Sequence, residues 1–236
     1  YNLLLDLRSK FPDYYQYHGR NISKKLSLLN VTILNDHYSK YSLDKKILNI
    51  SSKMSTEQLL QSTLFKKIII EVGFGDGEHL IESALSNPET LFVGSEVYVN
   101  GIAKVLKQIL EYNIRNIRLC GMNFIYLLNT LDQNSIDELK IINPDPWHKK
   151  RHFKRRLVNL ENIIKISRIV KNKYSSYITT DSESYFNHIN EIFSSNSEII
   201  HKNKKKILSK NDRLYGISRY QRKAIKNGKK IYQLTF

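Results

Sequence analysis

Lys66-Lys67-Ile68-Ile69-Ile70-Glu71-Val72-Gly73-Phe74-Gly75-Asp76-Gly77-Glu78-His79-Leu80 is the stretch that decides the fold. Ile68, Ile69, Ile70 and Val72 form a short β-branched run bounded by a glycine cluster, the pattern of a buried parallel strand. Three glycines at alternate positions then open a helix carrying Ile81, Ala84 and Leu85. Strand, glycine loop and helix in that order make the opening unit of an open α/β sheet.

The same alternation continues outward. Residues 91–97, 116–120, 139–142, 175–180, 197–201 and 230–236 read as further strands. Helices are expected over 56–65, 99–112, 123–131 and 153–171, the last basic and amphipathic, and through Tyr185, Ile189 and Ile192. This predicts one α/β domain from about residue 51 to 236, with a mostly parallel sheet and helices on both faces. About thirty basic residues, 203–229, separate the last two strands as an insertion. Residues 1–50 are polar and rich in Tyr and Lys; the first 25 or so read as a mobile basic arm and the remainder as a lead-in.

In such sheets ligands bind beyond the carboxyl ends of the strands. Glu71, Glu96, Asn123, Asp145 and Asp181 all fall at or just after expected strand ends. The loop Glu71-x-Gly73-x-Gly75-x-Gly77 does not fit the nicotinamide fingerprint, because position 78 is Glu. An acid two residues before the first glycine suits a ligand with an amino group, such as S-adenosylmethionine. Glu96 lies where an acid can accept both ribose hydroxyls, although a strand-end surface acid would look the same. Asn143-Pro144-Asp145-Pro146-Trp147 holds one carboxylate between two prolines, which restrict the backbone on both sides. Trp147 either stacks on a base or plugs the core, and the core is the expectation.

Composition narrows the class. The 236 residues carry 38 Lys and Arg against 22 Asp and Glu, for +16. The charge is uneven: +6 over residues 1–67, −6 over 68–145, +5 over 146–200 and +11 over 201–236. An acidic middle between basic flanks suggests a cofactor half and a polyanion-binding half. Six cations within 149–156, including Lys149, Arg151 and Arg155, read as a phosphate-binding surface. If they neutralise about 6 phosphates, affinity should fall by about 10³ between 50 and 200 mM salt. No apolar run approaches a membrane span, so no membrane association is expected. The single cysteine, Cys120, excludes an internal disulfide and a cysteine-based zinc site and points to a cytoplasmic setting. His148 and His152 read as part of the basic surface, with no metal site expected.

On these residues the chain resembles the bacterial tRNA (guanine-N7-)-methyltransferase family. The resemblance covers residues 15–236: Glu71 to Gly77, Glu96, the block Pro144 to Arg156, Thr180-Asp181 with Tyr185, and Ser209-Lys210-Asn211-Asp212. The chain departs from the family's usual residues at Asn143, Asn123, Ser209 and Asp212, which stand for an aromatic, Asp, Thr and Glu. The resemblance implies a Rossmann-like class I methyltransferase with a seven-stranded sheet and an antiparallel C-terminal strand. It implies S-adenosylmethionine held by Glu71, Gly73, Gly75, Glu96, Asn123 and Asp145. It also implies tRNA bound by Lys149, Arg151, Arg155, Asp181 and Ser209 to Asp212, and methyl transfer to a variable-loop guanosine with Asp145 as the catalytic residue. Two other readings stay open: an amino-group methyltransferase, since Asn143 to Trp147 loosely resembles N-P-P-[YFW], and a non-catalytic RNA-binding module. The chain opens on Tyr1, so fusion to an upstream domain is part of the expectation; the pattern leaves monomer or homodimer open.

Overall fold

The computed structural model describes residues 1–16, 25–49, 53–60, 65–171, 176–196, 204–208 and 219–236. The chain opens with α1 (Asn2–Lys10), a 3-10 turn at Pro12–Tyr15, α2 (Leu28–Tyr41), α3 (Asp44–Leu48) and α4 (Thr56–Leu60). Then come β1 (Lys67–Val72), α5 (Glu78–Ser86), β2 (Thr90–Ser95), α6 (Val99–Glu111), β3 (Ile117–Cys120), α7 (Phe124–Thr130) and β4 (Glu138–Ile142). A 3-10 turn at Lys150–Arg155 precedes α8 (Leu160–Ile169), β5 (Tyr177–Thr180) and α9 (Glu183–Ser195). β6 (Lys204–Leu208), α10 (Arg219–Lys226) and β7 (Ile231–Thr235) complete the order.

The strands form one seven-stranded sheet in the order β3-β2-β1-β4-β5-β7-β6. The first five run parallel, and β7 pairs antiparallel with both β5 and β6. The expected mostly parallel fold with an antiparallel last strand is therefore what the chain adopts. β1 lies between β2 and β4, with Val72 opposite Ser95 on one side and Ile141 on the other. β1 is thus the strand from which the order departs in both directions, and the crevice at its carboxyl end is where such sheets bind ligands. Ile68, Ile70, Leu91, Val93, Leu139 and Ile141 are essentially inaccessible and form the sheet's contribution to the core.

Three expectations are corrected. The first sixteen residues are not a mobile arm: Leu4, Leu7 and Tyr15 are buried in the main core alongside Ile33, Leu34 and Tyr38 of α2. The polar composition of residues 1–50 conceals a paired carboxylate. Asp44 is fully buried and accepts from Tyr38 Oη (2.7 Å), Tyr15 Oη (3.1 Å) and the Gly121 amide (2.9 Å). Burial raises the Asp44 carboxyl above its usual range, against the pull of those donors.

Second, the helix expected over 153–171 begins only at Leu160. Asn159 caps it by accepting from the Asn162 amide, and the cations before it form the 3-10 turn. Third, Lys204–Leu208 is an edge strand of the sheet rather than part of an insertion. The strand expected at 197–201 lies outside the described residues.

Candidate active site

Parallel register brings the loops after β1, β2, β3 and β4 to one edge of the sheet. Gly73, Gly75 and Gly77 all have left-handed backbones, with φ of 71°, 57° and 85°. A Cβ placed on Gly73 or Gly75 would meet nothing within 4 Å, so this backbone faces open space that a ligand can fill. On its other side the loop is tight: a Cβ on Gly101 of α6 would lie 2.0 Å from the Gly75 carbonyl oxygen. Glu96 reaches across from the end of β2, where Oε2 accepts from the Gly75 amide and Oε1 from the Tyr98 amide, both at 2.9 Å. Burial raises the Glu96 carboxyl, the Tyr98, Gly75 and Val97 amides pull it back, and the Asp145 carboxylate nearby raises it further.

Glu71 behaves differently from expectation. It is 1% exposed, and its Oε2 lies 2.6 Å from His79 Nδ1 of α5. His79 Nε2 continues to Tyr177 Oη at 3.1 Å. The carboxylate is thus buried and paired with a residue of the first turn of α5.

Asn123 is likewise engaged. Its backbone amide donates to the Tyr14 carbonyl (2.8 Å) and its side-chain amide to the Gln16 carbonyl (2.9 Å). Its Oδ1 caps α7 through the Ile125 amide. Arg8 donates from α1 to the carbonyl of Val97, just past Glu96, and Tyr14 stacks on Tyr126 with centroids 4.3 Å apart. The N-terminal segment thus lines the side of the crevice formed after β2 and β3.

The fourth loop carries Asp145, which is exposed. Asn143 and Trp147, flanking the two prolines, both have positive φ (49° and 44°), a costly conformation for an indole residue. Arg156 holds this shape from below. Its Nε donates to the Pro146 carbonyl at 2.9 Å, and its guanidinium sits over the Phe153 (3.6 Å) and Tyr185 (4.8 Å) rings. It is 4% exposed, so it is no part of the phosphate surface assigned to its run. Trp147 is not a core plug. With Asp145, Pro146, His148, Lys149 and His152 it lines a hollow of about 330 Å³, with the Arg155 guanidinium 5.2 Å from its ring centre.

Lys149, Lys150, Arg151 and Lys154 are exposed beside this hollow. Asp181 follows β5 and pairs with Lys229 at 3.1 Å. Ser209, Lys210, Asn211 and Asp212 lie outside the described residues. Among the described residues no group of three His, Cys, Asp or Glu could hold a metal ion, and no helix is long and apolar enough to cross a membrane. Sequence reasoning missed Arg8, Gln16 and His79, and it assigned Arg156 to the phosphate surface rather than to the support of the Pro146 turn. Only His79 carried a local signal, lying eight residues beyond Glu71 across the helix start.

The methyltransferase family model Methyltransf_4 matches residues 65–234. The chain belongs to this methyltransferase family. A bifunctional methyltransferase of Rickettsia felis is 37% identical over 209 residues, covering 89% of this chain and 37% of that protein. A tRNA (guanine-N(7)-)-methyltransferase of Agrobacterium fabrum is 41% identical over 122 residues, covering 52% of this chain and 53% of its own. The chain thus spans little more than a third of the Rickettsia relative and about half of the Agrobacterium one. In fold it is similar to a solved antibiotic-related methyltransferase, with a TM-score of 0.56 at 15% identity over 79% of this chain and 96% of the other. The resemblance to the tRNA (guanine-N7-)-methyltransferases drawn from the motifs therefore holds, and S-adenosylmethionine is the cofactor of this class. The residues fit it: a bare glycine backbone facing open space, and a carboxylate with lone pairs left for two hydroxyls.

Proposed function

We propose that this methyltransferase acts on guanine N7 of a tRNA guanosine, giving N7-methylguanosine. The observation that carries this reading is the Asp145 carboxylate between its two prolines, lining the Trp147 hollow beside the exposed cations Lys149, Lys150, Arg151 and Lys154. Guanine N7 has an in-plane lone pair and no proton, so no general base is needed to create the nucleophile. When bound, S-adenosylmethionine supplies an electrophilic methyl group on a sulfonium. Glu96 accepts its ribose hydroxyls, and the glycine backbone leaves room for its methionyl end. Asp145 accepts the guanine N1–H and N2–H, turning N7 toward the methyl group. It also offsets the positive charge that the purine acquires as the N7–carbon bond forms and the carbon–sulfur bond breaks. Orientation of this kind is worth roughly 7–11 kcal/mol. Lys149, Lys150, Arg151 and Lys154 meet tRNA phosphates; Asp181, with Lys229, edges the same surface.

The amino-group reading would need the Asn143 amide oxygen aimed at an exocyclic amine. That oxygen instead accepts from Thr179 Oγ1 at 3.3 Å. The match to part of a relative named as bifunctional supports a second methyltransferase unit in the same polypeptide, which the size of the native protein on an immunoblot tests. For the reaction itself, labelled S-adenosylmethionine and unmodified tRNA are incubated with the protein and the product is treated with borohydride and aniline. Label with one cut in the variable loop is the expected result. Label without scission refutes the N7 assignment, and salt-sensitive tRNA binding without label favours a non-catalytic RNA-binding module.

A further inference from the structure

The hollow beside Asp145 is walled by an indole whose placement the fold maintains against its backbone preference. Trp147 has φ 44°, and bulky residues leave the left-handed region unless their surroundings hold them there. Contacts on both sides of it are in place to do so. Arg156 anchors the preceding Pro146 carbonyl, the Arg155 guanidinium lies 5.2 Å from the indole centre, and the His152 ring meets it edge-on at 5.8 Å. An indole that lines a hollow rather than filling the core offers that hollow a surface for something flat. The hollow's other walls, Asp145, His148, Lys149 and His152, offer a carboxylate and nitrogen donors at its rim.

We infer that Trp147 is the stacking wall for the target guanine, positioning the base while Asp145 reads its edge. This rests on the guanine N7 reading above and names the residue that selects a purine face. A base must leave its own stack to reach a reactive group at the sheet edge, and an aromatic face replaces the lost stacking without regard to base edges. Transfer also changes what the ring stacks on. The N7–carbon bond forms, the carbon–sulfur bond breaks with its electron pair remaining on sulfur, no proton is lost, and the purine becomes cationic. An indole face attracts a cation more strongly than a neutral ring, so Trp147 binds the transition state more tightly than the ground state.

The test uses this 236-residue chain, in which Trp147 is the only tryptophan, so its indole emission reports on that residue alone. Emission excited at the indole edge is followed on saturation with unmodified tRNA in the presence of S-adenosylhomocysteine. A second tRNA is abasic at the guanosine mapped by scission, and filter binding sets equal occupancy. We expect quenching with the intact tRNA and little with the abasic one. Trp147→Phe should retain kcat within a few-fold. Trp147→Leu should lose roughly 10- to 100-fold in kcat, with tRNA Kd changed by less than about threefold. Equal emission with the two tRNAs, or full turnover by Trp147→Leu, overturns the inference while leaving the N7 reaction standing. Wild-type protein that yields no scission product refutes the N7 reading first, and this inference falls with it.

Discussion

The side-chain amide of Asn123 donates to the main-chain carbonyl of Gln16 at 2.9 Å, joining the loop after β3 to a segment 107 residues earlier in the chain. An aspartate at this position has no proton to offer and would set a carboxylate against a carbonyl oxygen. Asn123→Asp should therefore loosen residues 1–16 at a cost of about 0.5–1.5 kcal/mol. Faster amide hydrogen exchange in α1 and the Pro12–Tyr15 turn, with a Tm lower by several degrees, is the expected result. Unchanged protection there would show that Arg8 and Tyr14 suffice to hold the segment.

Cofactor affinity should depend on pH through Glu96. Its carboxyl is raised above the ordinary glutamate range chiefly by burial, and only the ionised form accepts both ribose hydroxyls. Affinity is present above the raised pKa and is lost as pH falls through it, so weakening begins at a higher pH than an ordinary glutamate would give. Isothermal titration with S-adenosylmethionine across the acid range measures this. Glu96→Gln should bind weakly with a flat profile.

Glu71 separates a support from a ligand. With the carboxylate sealed against His79, His79→Leu leaves it unpaired and should cost about 3–5 kcal/mol, read as a loss of denaturant midpoint. Glu71→Gln keeps the shape without the charge and should be milder. A Glu71→Gln protein of unchanged stability that binds S-adenosylmethionine far more weakly would instead make Glu71 a direct contact.

Asp145→Ala should lower methyl transfer by about 10² or more while leaving tRNA affinity nearly unchanged. Single-turnover rates beside filter-binding curves distinguish the two effects. A near-normal rate would remove Asp145 from the chemistry.

Neighbouring cations should divide by what they touch. Lys149→Ala or Arg151→Ala should each reduce the slope of log affinity against log salt by about 1, at unchanged stability. Arg156→Ala should leave that slope alone but cost on the order of 2–4 kcal/mol, since it removes a buried side chain packed on Phe153 and Tyr185.

What was legible in the sequence was local. The β-branched run into Gly73 and Gly75, the acid ending β2 and the paired prolines around Asp145 each carry their geometry within a few residues. Tertiary pairing was not legible. Asp44 and Arg156 look like surface charges in the chain and become buried because Tyr15, Tyr38, Gly121 and the Pro146 carbonyl meet them from other elements and turns. The same applies to Trp147, where hydrophobicity argued for the core and the backbone turn set by its neighbours placed it at the rim.

β7 follows β5 and β6 in the chain yet lies between them in the sheet. During synthesis β5 must leave the ribosome with one row of peptide groups unsatisfied, and β6 has no docking partner until Ile231–Thr235 has been made. The nascent domain thus passes through a stage with an open, adhesive flank, and β7, the latest in chain order of the strands described in this sheet, is the one that closes it.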